Sequence, residues 1–241
     1  MENTNKTVNY VQGRQQTTTV ARAYLSGVFM WMFIALGITA VTAWLFATTP
    51  ELINLLYNKE TGMSLTGWIV MLAPLGLVIW MSFGYQKLSA SSLLLIFVLF
   101  SVLMGASLSF IFLTYTGASI AKTFVITAAM FGVMAVVGYT TKTDLTKLGS
   151  ILFMGLIGLI IAMLVNMFMK SSTMDYIISF IGVLVFTGLT AYDVQKLKRI
   201  GARITGENES TRKLTIMGSL TLYLDFINLF LFLLRFFGNR R

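Results

Sequence analysis

The chain has 241 residues, of which 56% are hydrophobic and only 11% are charged. Soluble domains carry roughly 25% charged residues, so this composition excludes an ordinary soluble domain and indicates a polytopic membrane protein. The chain has no cysteine and no histidine, so disulfides, thiol catalysis and imidazole metal ligands are excluded. Any proton transfer must therefore use carboxylates, Lys or Tyr.

The formal net charge of +9 does not indicate a nucleic-acid partner. The basic residues cluster at the ends of apolar runs, and no basic face with interleaved aromatic residues lies outside those runs. They are therefore interpreted as topology signals and as contacts to anionic lipid of the bilayer.

Seven apolar segments follow one another along the chain, each near the ~20 residues that cross a bilayer as a helix. They cover residues 24–46, 66–84, 92–113, 122–139, 148–169, 175–194 and 214–237. The runs lack the alternation of barrel strands, and the connections between them are mostly short. The sequence thus predicts an all-α membrane protein with one seven-helix domain, residues 24–241, behind a polar cytoplasmic tail, residues 1–23. The tail lacks the pattern of a signal peptide.

Loop charges predict the orientation of the bundle. Counting alternate connections, 12 of the 18 Lys and Arg residues lie on the side of the N-terminus. The positive-inside rule then places the N-terminus in the cytoplasm, and seven crossings place the C-terminus outside. The basic C-terminal residues Arg235, Arg240 and Arg241 argue mildly for the alternative in which the last segment is re-entrant.

Two aspartates lie in or beside apolar segments, where a charged carboxylate costs free energy. Asp193 follows the apolar run of the sixth segment and Asp225 lies inside the seventh. A carboxylate within a membrane span is a functional-site hypothesis by default. The two residues are equidistant from position 209, close to the centre of the connection between these segments, so an antiparallel helix pair places them at similar depth.

Two carboxyl groups within ~4 Å do not both ionise easily, so such a pair shares one proton and senses pH without histidine. Once the proton leaves, the pair is a candidate oxygen site for a hard cation such as Ca²⁺, with no other cofactor expected. Asn228, Tyr192 and Tyr223 are candidate supporting polar residues. The alternative for Asp193 is a simple ion pair with the basic run at residues 196–199 at the membrane edge.

Three motifs resemble the Bax inhibitor-1 family, in its bacterial branch. They are GLTAYDVQK at residues 188–196, SLTLYLDFINLF at residues 219–230, and the stretch from GASLS at 105–109 through TAAMFG at 127–132 to GYTTKTDLT at 138–146. The resemblance covers nearly the whole chain from about residue 24. It implies six helices around a central seventh, an inner-membrane location, and a pH-sensitive calcium leak with Asp193 and Asp225 as sensor and part of the pore closure.

Members of that family also have an arginine on the second helix that latches onto the aspartate pair. Here residues 66–84 hold no charged residue. Lys87, at the end of the second segment, is the nearest substitute for this latch.

Two other functions stay open at this point. An intramembrane aspartyl protease also places two aspartates on adjacent helices, but such enzymes resemble Gly-x-Gly-Asp where this chain has Leu before Asp225. A regulatory protein that binds another membrane protein, such as a quality-control protease, would use the polar tail as a docking segment. A disordered tail is the simpler interpretation, and the prediction is a transporter and not an enzyme.

Overall fold

The computed structural model describes residues 2–58 and 62–239, with side chains from residue 19 onward. Most of the predicted tail, residues 1–23, therefore lies outside the described side chains, and the tail stays a prediction. The elements of the described chain, in order, are α1 (Glu2–Thr48), α2 (Pro50–Leu56), β1 (Tyr57–Asn58), β2 (Gly62–Met63), α3 (Leu65–Gly84), α4 (Ala90–Leu108), α5 (Phe110–Thr114), α6 (Gly117–Thr140), α7 (Thr146–Met169), α8 (Ser172–Gly201) and α9 (Glu209–Phe237).

Seven helical stretches of the described chain are long and apolar enough to cross a membrane, which confirms the predicted fold class. The third is divided into α4 and α5 at Ser109. Several spans exceed their predicted length, and the sixth runs to Gly201. The extra turns are polar and extend beyond the apolar run, so hydropathy alone did not predict them.

Small polar residues define where five of the spans begin. The side-chain oxygens of Ser64, Ser89, Thr116, Ser171 and Asn208 each accept a backbone N–H three residues later, at 2.9 to 3.3 Å. The first N–H groups of a helix have no partner within it, and a capping side chain satisfies one of them.

The connection between the first two spans holds structure that the sequence analysis did not predict. Helix α2 begins at Pro50 after Thr49. A two-residue antiparallel ladder then pairs Tyr57 with Met63 and Asn58 with Gly62. Gly62 has φ +82°, which a glycine adopts without strain.

Helix α9 is the centre of the bundle, as predicted. Of its most apolar stretch 72% is buried, against 11% for α7. Helices α1, α4, α6 and α8 pack directly against α9, while α3 packs on α4 and α7 packs on α8. The outer faces of these helices present large apolar side chains, as expected for contact with lipid.

Helix α9 also runs the full length of the bundle. At its start, the Glu209 carboxylate accepts the N–H of Ala90, at the beginning of α4. At its other end, Arg235 pairs with Asp175 at the beginning of α8 at 3.4 Å, and the Asn239 N–H donates to Ser119 on α6 at 3.0 Å. The re-entrant alternative for the seventh segment is therefore wrong. The end of the bundle with connections 85–89, 141–145 and 202–208 is called the basic end below.

Candidate functional site

The structure brings Asp193 and Asp225 together. Their side chains are in hydrogen-bonding contact, and the two residues are only 9% and 5% exposed. With both groups ionised, Asp225 Oδ2 is buried and has no hydrogen-bond donor among the described residues. Leaving a buried charged acceptor without a donor costs about 1–3 kcal/mol or more. The arrangement therefore calls for a proton or a cation between the two carboxyl groups.

Close helix packing fixes the position of this pair. Helix α8 lies between α6, α7 and α9, so Asp193 is enclosed on several sides. Gly138 on α6 meets the backbone of α8 at Ala191, where an added Cβ would lie 2.2 Å from the Ala191 carbonyl oxygen. On the α7 side, Gly149 leaves room for the ring of Tyr192. Small residues on both neighbours thus hold the segment around Asp193 in place.

The pair lies in the wall of a cavity of about 890 Å³ between α7, α8 and α9. Each helix contributes residues spaced three or four apart, which is one helical face. The lining residues are Thr146, Gly149, Ser150, Phe153, Leu156, Ile160 and Met163 from α7, Phe186, Leu189, Tyr192, Asp193 and Lys196 from α8, and Thr221, Leu224, Asp225, Asn228, Leu231, Phe232 and Arg235 from α9.

Two smaller cavities adjoin the first, one at each end. The cavity at the basic end has a volume of about 180 Å³ and shares Thr146, Tyr192 and Lys196 with the central cavity. The cavity at the opposite end has about 370 Å³ and shares Arg235. Together they form a row across the bundle with the aspartate pair between the two ends. Arg235, held by Asp175, separates the central cavity from the one at the opposite end.

Two of the predicted supporting residues lie at this site. Tyr192 lines both the central cavity and its basic-end neighbour. Asn228 lines the central cavity, where its side-chain N–H donates to the Leu224 carbonyl at 2.8 Å.

Tyr223, the third candidate supporting residue beside the aspartates, does not line the central cavity. The Tyr223 hydroxyl lies 2.7 Å from Thr39 Oγ1, and its ring packs edge-on against Phe97 and Phe100. Two residues along a helix correspond to a rotation of about 200°, so Tyr223 and Asp225 lie on opposite faces of α9.

Lys87 does not replace the missing latch. It lies in the turn after α3, which packs on α4, and it is not among the residues that line the three cavities. The charged residues that do line the cavity beside the pair are Lys196 and Arg235. Lys196 is close enough for its charge to act on both carboxylates. It belongs to the basic run at residues 196–199 that the sequence offers as an alternative partner of Asp193, and its spacing of three residues places it on the same helical face.

A polar cluster fastens the α6–α7 connection to α8 beside the cavity's basic end. The Gln195 amide donates to Thr143 O at 2.8 Å and accepts the Leu145 N–H at 2.9 Å. Arg199 pairs with Asp144. The hydroxyl of Thr146, followed by the Arg199 guanidinium, holds the pKa of Asp144 well below its usual range. This cluster fixes the start of α7 relative to α8.

The pair offers a cation only a few oxygen ligands. In the described chain, no group of three or more acidic, histidine or cysteine side chains is placed to hold a metal ion. Calcium takes six to eight oxygen ligands, and the cavity offers two carboxyl groups with Asn228 and Thr221 near them. A cation held by these groups alone would keep most of its water.

Comparison with known proteins agrees with the family resemblance seen in the sequence motifs. The sequence pattern of the family described as "Inhibitor of apoptosis-promoting Bax1" matches residues 21–241. An Escherichia coli inner membrane protein, YbhL, is 51% identical over 91% of this chain and 93% of its own. An uncharacterised protein of Rickettsia prowazekii is 46% identical over 91% of each chain. An uncharacterised membrane protein of Streptococcus pyogenes is 38% identical over 68% of this chain and 70% of its own.

Proposed function

Because the chain belongs to the Bax inhibitor-1 family and is an integral inner-membrane protein, we propose that it is a pH-sensitive cation leak channel, with Ca²⁺ as the transported ion. The gate is the pair Asp193 and Asp225. The observation that carries the proposal is the buried carboxyl pair inside a row of cavities that crosses the bundle. In this proposal the protein is a transporter and not an enzyme.

The proposed gate operates by competition between a proton and a cation. When one proton is shared, it satisfies Asp225 Oδ2, and the two groups together carry a single negative charge. When that proton leaves, two like charges face each other in a site with little water. A divalent cation then relieves their repulsion. Because protons and cations compete for the same oxygens, cation occupancy is lower at low pH.

The surrounding charges restrict passage of a cation through this cavity. Lys196 stands near the basic end and Arg235 near the opposite end, with the acidic pair between them. A cation that enters from either end passes a positive side chain before it reaches the carboxylates. Passage therefore requires these two side chains to move aside, which keeps the leak slow.

Calcium flux into proteoliposomes, measured at several pH values, tests the proposal. The wild-type protein is expected to show a flux that rises with pH. Asp225→Asn removes the shared proton and the ion site together, so its flux should fall about tenfold or more and no longer depend on pH. Glu209→Gln is the matched control, since it removes an acid from the same helix outside the cavity. Unchanged flux and unchanged pH dependence in Asp225→Asn would sink the proposal.

The two alternatives from the sequence have no additional support. A docking role for the tail concerns residues that mostly lie outside the described side chains. A protease would require a scissile bond to reach the pair, and its characteristic glycine motif is absent at Leu222 to Asp225.

A further inference from the structure

The central cavity is much larger than an inorganic cation requires. It has a volume of about 890 Å³. An ion with about eight waters of ~30 Å³ each fills roughly a quarter of that volume. Binding sites for small organic molecules have volumes of ≈300–1,000 Å³, with mostly apolar walls and a few placed polar groups. The cavity therefore has the dimensions of an organic ligand site.

The chemistry of the walls specifies the ligand further. Most lining residues are apolar, and four aromatic rings are among them: Phe153, Phe186, Tyr192 and Phe232. Aromatic faces attract cations. The acidic pair provides negative charge at one position in this apolar surface, and when both groups are ionised Asp225 Oδ2 has no donor among the described residues. A ligand with an apolar body and one positive charge matches these features, whereas an apolar anion would be repelled by the carboxylates.

The basic side chains define where the charge of such a ligand lies. Lys196 is three residues from Asp193, and Arg235 is ten residues from Asp225, about 15 Å along α9. Arg235 is neutralised by Asp175 at 3.4 Å. The stretch between Asp225 and Arg235 holds Asn228, Leu231 and Phe232 of the cavity wall. A ligand with its charge at the acidic pair can therefore place its apolar body along this stretch.

Helix α7 provides access from the lipid. It packs against α8, and only 11% of its most apolar stretch is buried. Its residue Phe153 lines the cavity yet is 60% exposed, so the cavity wall is also part of the protein surface that faces lipid. A lipophilic molecule dissolved in the bilayer thus reaches the cavity between α7 and α9 without crossing the aqueous ends.

We propose that the cavity between α7, α8 and α9 binds lipophilic organic cations, with the Asp193–Asp225 pair as counter-ion and the aromatic wall as the apolar site. This inference rests on the proposed function, since both assign a cation to the same cavity. Such a ligand competes with Ca²⁺ and blocks the leak.

Equilibrium dialysis of the purified protein with two probes of nearly equal shape and opposite charge, tetraphenylphosphonium and tetraphenylborate, tests the proposal. Tetraphenylphosphonium is expected to bind saturably, and tetraphenylborate is not. Asp225→Asn should weaken tetraphenylphosphonium binding about tenfold or more. Equal binding of the two probes, or binding unaffected by Asp225→Asn, would show partition into detergent or apolar surface and overturn the proposal.

A second variant tests the aromatic wall and does not alter a buried charge. Phe153→Ala removes an aromatic ring from the cavity wall and should weaken tetraphenylphosphonium binding severalfold. Phe168→Ala on the same helix is the matched control, because Phe168 is 81% exposed and does not line the cavity. If flux depends on Asp225 but the phosphonium neither binds nor blocks, this inference alone fails. If flux does not depend on Asp225 either, the proposed function fails as well.

Discussion

Two aspartates near α8 have opposite surroundings at the residue scale. Asp144 is exposed and accepts from the Thr146 hydroxyl, the Thr146 N–H and Arg199. Asp225 is buried, and with both carboxyl groups of the pair ionised its Oδ2 has no donor in the described chain. An aspartate side chain therefore fixes a loop at position 144, whereas at position 225 it requires a proton or a cation.

The lowered pKa of Asp144 gives a prediction about stability and pH. Its stabilising effect is present above the unfolded value of about 3.9 and is lost as pH falls through the lower folded value. Asp144→Asn should therefore lower the unfolding temperature in detergent by a small amount that is the same from pH 5 to pH 8. The difference should shrink below about pH 4. A difference that changes between pH 6 and pH 8 would contradict this assignment.

The sequence predicted that Asp193 and Asp225 lie together but did not predict what surrounds them. Counting residues from the α8–α9 connection was enough to bring Asp193 and Asp225 together, because antiparallel helices fix relative depth. It did not fix the rotation of each helix, and for that reason Tyr223 was named as a supporting residue although it lies on the face of α9 opposite Asp225. The contribution of α7 was not predictable, since its uniformly apolar sequence does not distinguish a cavity wall from a lipid-facing surface.

At the element scale, the contact between α6 and α8 determines where Asp193 lies. Gly138 approaches the α8 backbone so closely that an added Cβ would lie 2.2 Å from Ala191 O. On the same helix, an added Cβ at Gly132 would meet no atom within 4 Å. These two glycines are therefore a matched pair of positions for substitution by alanine.

Gly138→Ala should lower the free energy of unfolding by about 1–3 kcal/mol, the usual cost of overpacking. Gly132→Ala should be neutral or stabilising by up to about 1 kcal/mol, since alanine favours the helix. Thermal unfolding of both variants in detergent provides the measurement. Equal stability of the two would mean that α6 and α8 do not meet at Ala191.

At the scale of the whole molecule, hydropathy and length were sufficient to predict seven spans, while the central seventh helix was implied by the resemblance to the family. The basic residue Arg235 appeared to argue against a full crossing, but its partner Asp175 lies at the same end of the bundle and is far away in sequence. Helix α2 and the short ladder after it were missed because they are too short to give a periodic signal. Composition thus predicts the bundle, while contacts between distant residues determine its details.

The central claim is that Asp193 and Asp225 share one proton, which a cation replaces. Infrared difference spectroscopy of the reconstituted protein across a pH series measures the C=O stretch of protonated carboxylic acids directly. If the pair shares a proton, this band is expected to disappear as pH rises, to be displaced at constant pH by Ca²⁺, and to be absent in Asp225→Asn but retained in Glu209→Gln. A spectrum without a titrating carboxylic acid band, or a band that persists in Asp225→Asn, would contradict a shared proton.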